Sequence, residues 1–202
     1  MAGTNYYNSL WGYQDGKVRN SNVSRTHRPM MMLSHIFNAN TTTKLTTSLY
    51  YNFGKNSITG LNWNDAPNPR PDYYRYLPSY YYMQGDTANG DILKDNWTNN
   101  TNSTQQINWD RLIAMNQANL YSTPGSGINT SETRARYILE NKIEKLQSYG
   151  FNTVLNKRME RLFLSVGLNG SIYKNRKYKE VEDLLGANFW IDVDQFAENL
   201  GV

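Results

Sequence analysis

The sequence contains no cysteine, which excludes disulfides and Cys-ligated metal centres and leaves the compartment open. No run of about 18 apolar residues occurs, so no segment can cross a bilayer as a helix. The start, Met1-Ala2-Gly3-Thr4-Asn5-Tyr6-Tyr7, lacks both the basic and the apolar region of a signal peptide. Charge of one sign is also scarce: 21 Lys and Arg face 17 Asp and Glu. The local group Lys174, Arg176, Lys177 and Lys179 reads as a solvated strand end. Without a basic helix or stripe, the footprint that nucleic acid requires is weak, and no nucleic-acid partner is expected. GxSxG, P-loop and HExxH motifs are absent. Two histidines, His27 and His35, have no convergent ligands nearby, and acidic pairs such as Asp192 with Asp194 or Glu180 with Asp183 sit where carboxylates cap turns. No catalytic residue, metal site or cofactor is expected.

What the sequence does have is aromatic: 16 Tyr, 5 Trp and 6 Phe in a chain that is only 39% hydrophobic, with a mean hydropathy of -0.73. That balance is too polar for an ordinary compact globule and too aromatic for a disordered chain. Tyr and Trp pair an apolar body with a polar tip, which suits binding loops and the lipid-water boundary.

Period-two alternation is clearest from Lys44 to Phe53. Leu45, Leu49 and Phe53 fall on one face there, with Lys44, Ser48 and Asn52 on the other. Leu162, Leu164, Val166, Leu168 and Ile172 repeat the design against Phe163, Ser165, Asn169, Ser171 and Tyr173. Each stretch has about the ten residues that a tilted strand needs to cross a bilayer. Met30 to Phe37 precedes the first and Tyr149 to Leu155 the second, each across a short polar connection, so two β-hairpins are predicted. Met30-Met31-Met32-Leu33 blurs the alternation and leaves its lipid-facing side open. Residues 54–133, rich in Asn, Tyr, Pro and Gly, read as one long loop. Glu132 to Gln147 stays open between helix, slightly favoured by charge pairs four apart such as Arg136 with Glu140, and strand. From Tyr178 onward short helical turns are expected, with Glu180 to Leu185 ending at Gly186 and Asp192 capping a turn that contains Phe196.

The most distinctive stretch runs from Trp63 to Tyr81. Its prolines favour extended backbone, while its aromatics and arginines offer stacking faces and forked donors. Trp63, Arg70, Tyr73, Tyr74, Arg75 and Tyr76 are therefore the candidate ligand-binding residues. A rigid loop packing on its own rings accounts for the same composition equally well.

Several segments together resemble the mid-barrel portion of TonB-dependent receptors of Gram-negative outer membranes. They are Trp11 to Lys17, Arg19-Asn20-Ser21, Leu33-Ser34-His35, Lys44 to Leu49, the Asp65-Ala66-Pro67 to Tyr81 run, Gln106 to Asp110, Asp183 to Gly186, Trp190 and Asp194 to Glu198. The resemblance implies an all-β architecture: antiparallel hairpins forming part of a transmembrane β-barrel wall, with long extracellular loops and a few short helical turns. It implies strands near 29–37, 44–53, 134–155 and 161–174, and a transporter rather than an enzyme. The implied partners are outer-membrane lipid, an imported ligand, and the TonB energy-coupling complex acting through a plug region that this sequence does not contain. The rival readings are a secreted or surface carbohydrate-binding β-protein, motivated by the Tyr and Trp richness, and a glycosidase, motivated only by scattered carboxylates.

Overall fold

A computed structural model describes residues 6–101, 104–121 and 132–193. The fold is mostly β, with largely antiparallel sheets, and no helix among the described residues is long and apolar enough to cross a membrane. The chain forms two compact units, one of residues 24–58 and 142–179, the other of the remaining segments.

The first unit is a sheet. Its strands are β3 (Ser24–His27), β4 (Met30–Asn40), and the parts that fall within it of β5 (Thr43–Trp63), β7 (Tyr137–Arg158) and β8 (Phe163–Asp183). β4 and β3 pair successive stretches of one edge of β5, Leu33 opposite Leu49 and Thr26 opposite Asn56. The break between them comes at Arg28-Pro29, where proline has no N–H for the ladder and its carbonyl accepts from Phe53 N at 3.2 Å. β7 lies against the other edge of β5 and β8 beyond it. The sheet does not close on itself, so β3, β4 and β8 each leave an edge unpaired within it.

The register separates two faces. Met31, Leu33, His35 and Phe37 stand opposite Tyr51, Leu49, Thr47 and Leu45. The Thr47 and Thr153 hydroxyls hydrogen-bond at 2.9 Å, which puts Tyr149, Phe151 and Leu155 on that same face by the two-residue period. A Cβ on Gly170 would meet the Phe151 ring, which adds Leu164, Val166, Leu168 and Ile172. The opposite face carries Ser34 against Ser48 at 2.9 Å and Asn52 against Ser148 at 3.2 Å. Within 30–37, Met31, Leu33 and Phe37 share the side of Leu49 and Phe151, while Met30, Met32 and Ile36 share the side of Ser48 and Asn52, so both faces of this strand are apolar.

The second unit is built around Trp109, Ile107, Leu112, Tyr137, Leu139 and Leu185, with Leu61, Trp63 and Ile113 packed on them. β1 (Trp11–Gln14) and β2 (Lys17–Asn20) form a tight hairpin whose Asp15 and Gly16 both have positive φ, 48° and 74°, the geometry that Asp-Gly favours. β6 (Ile107–Asn108) pairs parallel to β1 so closely that a Cβ on Gly12 would lie 1.8 Å from the Ile107 carbonyl oxygen. Only glycine fits there. α1 (Pro78–Met83) starts with proline at its first position. α2 (Thr87–Asn99) is capped by Asp86, which accepts from Asn89 N, and closed by Asn100 in the left-handed region. α3 (Trp109–Gln117) is capped by Asn108, which accepts from Arg111 N at 2.9 Å.

Asn116 is fully buried on α3, and its side-chain amide serves five backbone groups. Its nitrogen donates to the carbonyls of Tyr137, Leu184 and Leu185, and its oxygen accepts from the N–H groups of Arg136 and Tyr137. Arg19 makes a second tie. It donates to Asp183 and Gln14, both at 2.6 Å, and lies 4.4 Å above the Trp109 ring, whose indole N–H returns a bond to the Arg19 carbonyl.

Several expectations are corrected. The expected loop 54–133 contains the end of β5, three α-helices, a 3₁₀ turn at Tyr74–Tyr76 and β6. From Tyr137 the contested segment is strand, not helix. Tyr137, Ile138, Leu139 and Glu140 are buried in succession, so both sides of the backbone are covered and packing overrides the local charge pairs. Glu180 to Asp183 continue β8 rather than forming a helical turn, because Glu182 has Asn141 as a partner at 2.9 Å and Asp183 holds Arg19. The chain does turn at Leu185 and Gly186, both with positive φ. Asp194 and Phe196 lie outside the described residues.

Asn116→Ala is expected to lower the stability of the second unit by about 2–4 kcal/mol, since it strips partners from buried backbone groups that packing cannot satisfy. Urea unfolding monitored by tryptophan fluorescence reads this directly. A loss under ~1 kcal/mol would mean that water replaces the amide.

Candidate functional site

The aromatic run is largely engaged with itself. Trp63 ends β5, half-buried against the core. The Tyr73 ring meets Tyr74 and Tyr76 edge-on, with centroids 4.8 and 5.3 Å apart, and Tyr74 meets Tyr80 at 5.8 Å. Arg75 donates to the Tyr74 hydroxyl at 2.9 Å and lies over its ring. That bond holds the Tyr74 phenol below its ordinary pKa and raises that of the guanidinium. Arg70 pairs loosely with Asp72 at 3.7 Å, and Asp72 in turn accepts from Ser9.

Two of the six candidates, Arg70 and Tyr76, line a cavity of about 330 Å³. The Pro67–Pro71 segment forms one side, α2 contributes Leu93 and Trp97, and the first turns of α3 contribute Arg111, Leu112 and Met115. Tyr76 is fixed by a bond from its hydroxyl to the Asn68 carbonyl at 3.0 Å, and Tyr137 by one to the Pro67 carbonyl at 2.9 Å. Burial pushes the Tyr137 phenol above its ordinary pKa, so it stays neutral. The volume lies within the range of small-molecule sites, and the lining has the usual mixture of an apolar floor with a few polar groups. Tyr73, Tyr74, Arg75 and Trp63 do not line it.

A second feature belongs to the sheet unit. On its polar face a shallow trough of about 690 Å³ is lined by Lys142, Lys177, Lys179, Glu144 and Asn56, among others. Glu144 organises it: Arg28 and Lys177 approach at 3.5 Å, and Asn175 donates at 2.7 Å. Among the described residues no group of three His, Cys, Asp or Glu is placed to hold a metal ion, and His35 stacks on Phe37. The smaller cavity is the better candidate for a small ligand, because it is walled while the trough is open to solvent.

Sequence reasoning passed over Trp97 and Arg111, which share the cavity with Arg70 only through the tertiary fold. A signal for their helices was present. Asp86 and Asn108 are both N-cap residue types, and Leu112, Ile113 and Met115 follow Asn108 at near-helical spacing. Neither the scan of protein-family models nor the search of curated proteins finds a match to this chain.

Tyr7 supports the cavity wall from behind. Its ring meets Trp97 edge-on at 5.4 Å and its hydroxyl donates to the Gln105 carbonyl at 2.8 Å. Burial first, then the Asp72 charge, raises its pKa from 10.0 to about 12. A raised folded pKa means the neutral phenol is favoured by folding. Its stabilisation is complete below pH 10 and is lost as pH rises from there through about 12. Tyr7→Phe should flatten the alkaline limb of a stability-pH curve at a cost of about 1 kcal/mol near neutrality. An unchanged limb would assign the alkaline sensitivity to other groups.

Proposed function

We propose that this chain is part of the wall of an outer-membrane β-barrel importer resembling TonB-dependent receptors, together with ligand-contacting loops, and that it performs no chemistry on what it carries. The observation that carries this reading is the two-faced sheet. On one side Leu33, Leu49, Val166, Leu168 and Ile172 are each more than half exposed, while the other side carries the polar group around Glu144 beside exposed Met30, Met32, Ile36 and Phe163. A water-soluble monomer rarely leaves so continuous an apolar surface bare. Lipid covers such a surface without needing partners for hydrogen bonds, because the ladder already satisfies the backbone within the sheet.

Strand length fits as well. β5, β7 and β8 run for 21, 22 and 21 residues, about 70 Å each if fully extended, whereas the alternating apolar belt from Leu45 to Phe53 has about the length that a tilted crossing needs. Such strands cross and then project. In this reading the apolar face meets outer-membrane lipid and the polar trough faces the lumen. The unpaired edges of the sheet continue into further strands of a barrel. Energy for release of the ligand comes from the TonB complex acting on a plug encoded outside these residues. A surface carbohydrate-binding protein would use the tyrosines equally well but leaves the apolar face uncovered.

Membrane fractionation of cells that make the protein containing this chain should place it in the outer membrane. Recovery in the soluble fraction would reject the reading. Val166→Arg, at mid-depth of the belt, is expected to cost about 2–4 kcal/mol in lipid. The polar-face change Ser165→Arg on the neighbouring residue should cost much less. Equal costs would show that the two faces do not meet different solvents.

A further inference from the structure

The walled cavity has a chemical bias that its shape alone does not require. Arg70 and Arg111 both line it, and no Asp or Glu does among the described residues. The Arg111 guanidinium has no hydrogen-bond or ion-pair partner among the described residues, whereas most guanidiniums of this unit are engaged: Arg19 with Asp183, Arg70 with Asp72, Arg136 with Asp65. Trp97 is 3% exposed and its indole N–H is sealed from solvent, so this residue offers the cavity only its ring. Asn108, the cap of α3, places the positive end of that helix at the same wall. An unpaired guanidinium at Arg111, a lining without Asp or Glu and an apolar floor of Leu93, Leu112 and Met115 are three separate features of one cavity.

We infer that this cavity binds a small carboxylate-bearing molecule, with the carboxylate on Arg111 and the body of the ligand against the apolar floor. A guanidinium fork matches a carboxylate with two parallel bonds, which is the strongest use of the donors present. The volume of about 330 Å³ has room for one sugar-acid ring or a dipeptide. The inference rests on the import reading only in giving that reading a ligand class, since binding can be measured without transport.

The test uses the full chain purified in detergent and titrated by calorimetry with matched pairs. Glucuronate against glucose tests a sugar acid, and alanyl-phenylalanine against its C-terminal amide tests a peptide. One acid is expected to bind, at least about tenfold more tightly than its uncharged counterpart, and the pair that responds names the source. Arg111→Gln should remove that preference, and Arg111→Lys should restore part of it. Tryptophan fluorescence and far-ultraviolet circular dichroism establish that each variant is folded. Equal binding within both pairs, no binding of either acid, or an unchanged preference in folded Arg111→Gln would each overturn the inference. Outer-membrane fractionation is read separately, so a failed pocket and a failed membrane assignment give different results.

Discussion

The second unit depends on one buried amide. Asn116 donates to three carbonyls and accepts from two N–H groups, and these belong to the start of β7 and the turn that follows β8. No regular ladder serves those groups, because the chain enters one strand and leaves the other there. An isolated amide can do this because it offers both donor and acceptor in one plane, which neither a carboxylate nor an apolar side chain of similar size does. α3 is held in place by the same bonds. Since α3 also supplies Arg111 and Leu112 to the cavity, the geometry of the candidate site follows from that one side chain.

In the sheet unit the governing constraint is the two-residue period. Once Thr47 meets Thr153 and Leu33 meets Leu49, every other side chain has its face assigned. A slip of one residue in β5 would move Leu45, Leu49 and Phe53 to the side of Glu144 and would break the Asn52–Ser148 and Asn56–Glu144 contacts together. Register is therefore specified by polar and apolar contacts that agree.

Much of the sheet was legible in sequence because alternation survives intact in Lys44 to Phe53 and Leu164 to Ile172. Met30 to Phe37 was legible as a strand but not in its facing: Met30, Met32 and Ile36 oppose Met31, Leu33 and Phe37, so both sides are apolar and only the pairing with β5 decides. The helices were missed because the Asn and Thr that crowd residues 86–116 lower helix propensity, and capping with burial of Trp97 and Trp109 outweighs that. The β1–β2 hairpin was missed although Asp15-Gly16 announces its turn. At the candidate site, composition pointed to Arg70 and Tyr76, whereas Trp97 and Arg111 share no local pattern with them and are joined to them only by the way α2 and α3 pack.

The separation along the chain of β5 and β7 has a consequence for the order of assembly. The hairpin of β4 with β5 needs only the few residues between Asn38 and Lys44 to close, while the Thr47–Thr153 contact joins residues 106 apart. Closing that span costs roughly 2–3 kcal/mol more in chain entropy than closing a hairpin turn, since each doubling of loop length adds about 0.6 kcal/mol. Local hairpins thus form first and the β5–β7 seam is sealed late. Until it closes, the bare edge of β5 is open to pairing with other chains.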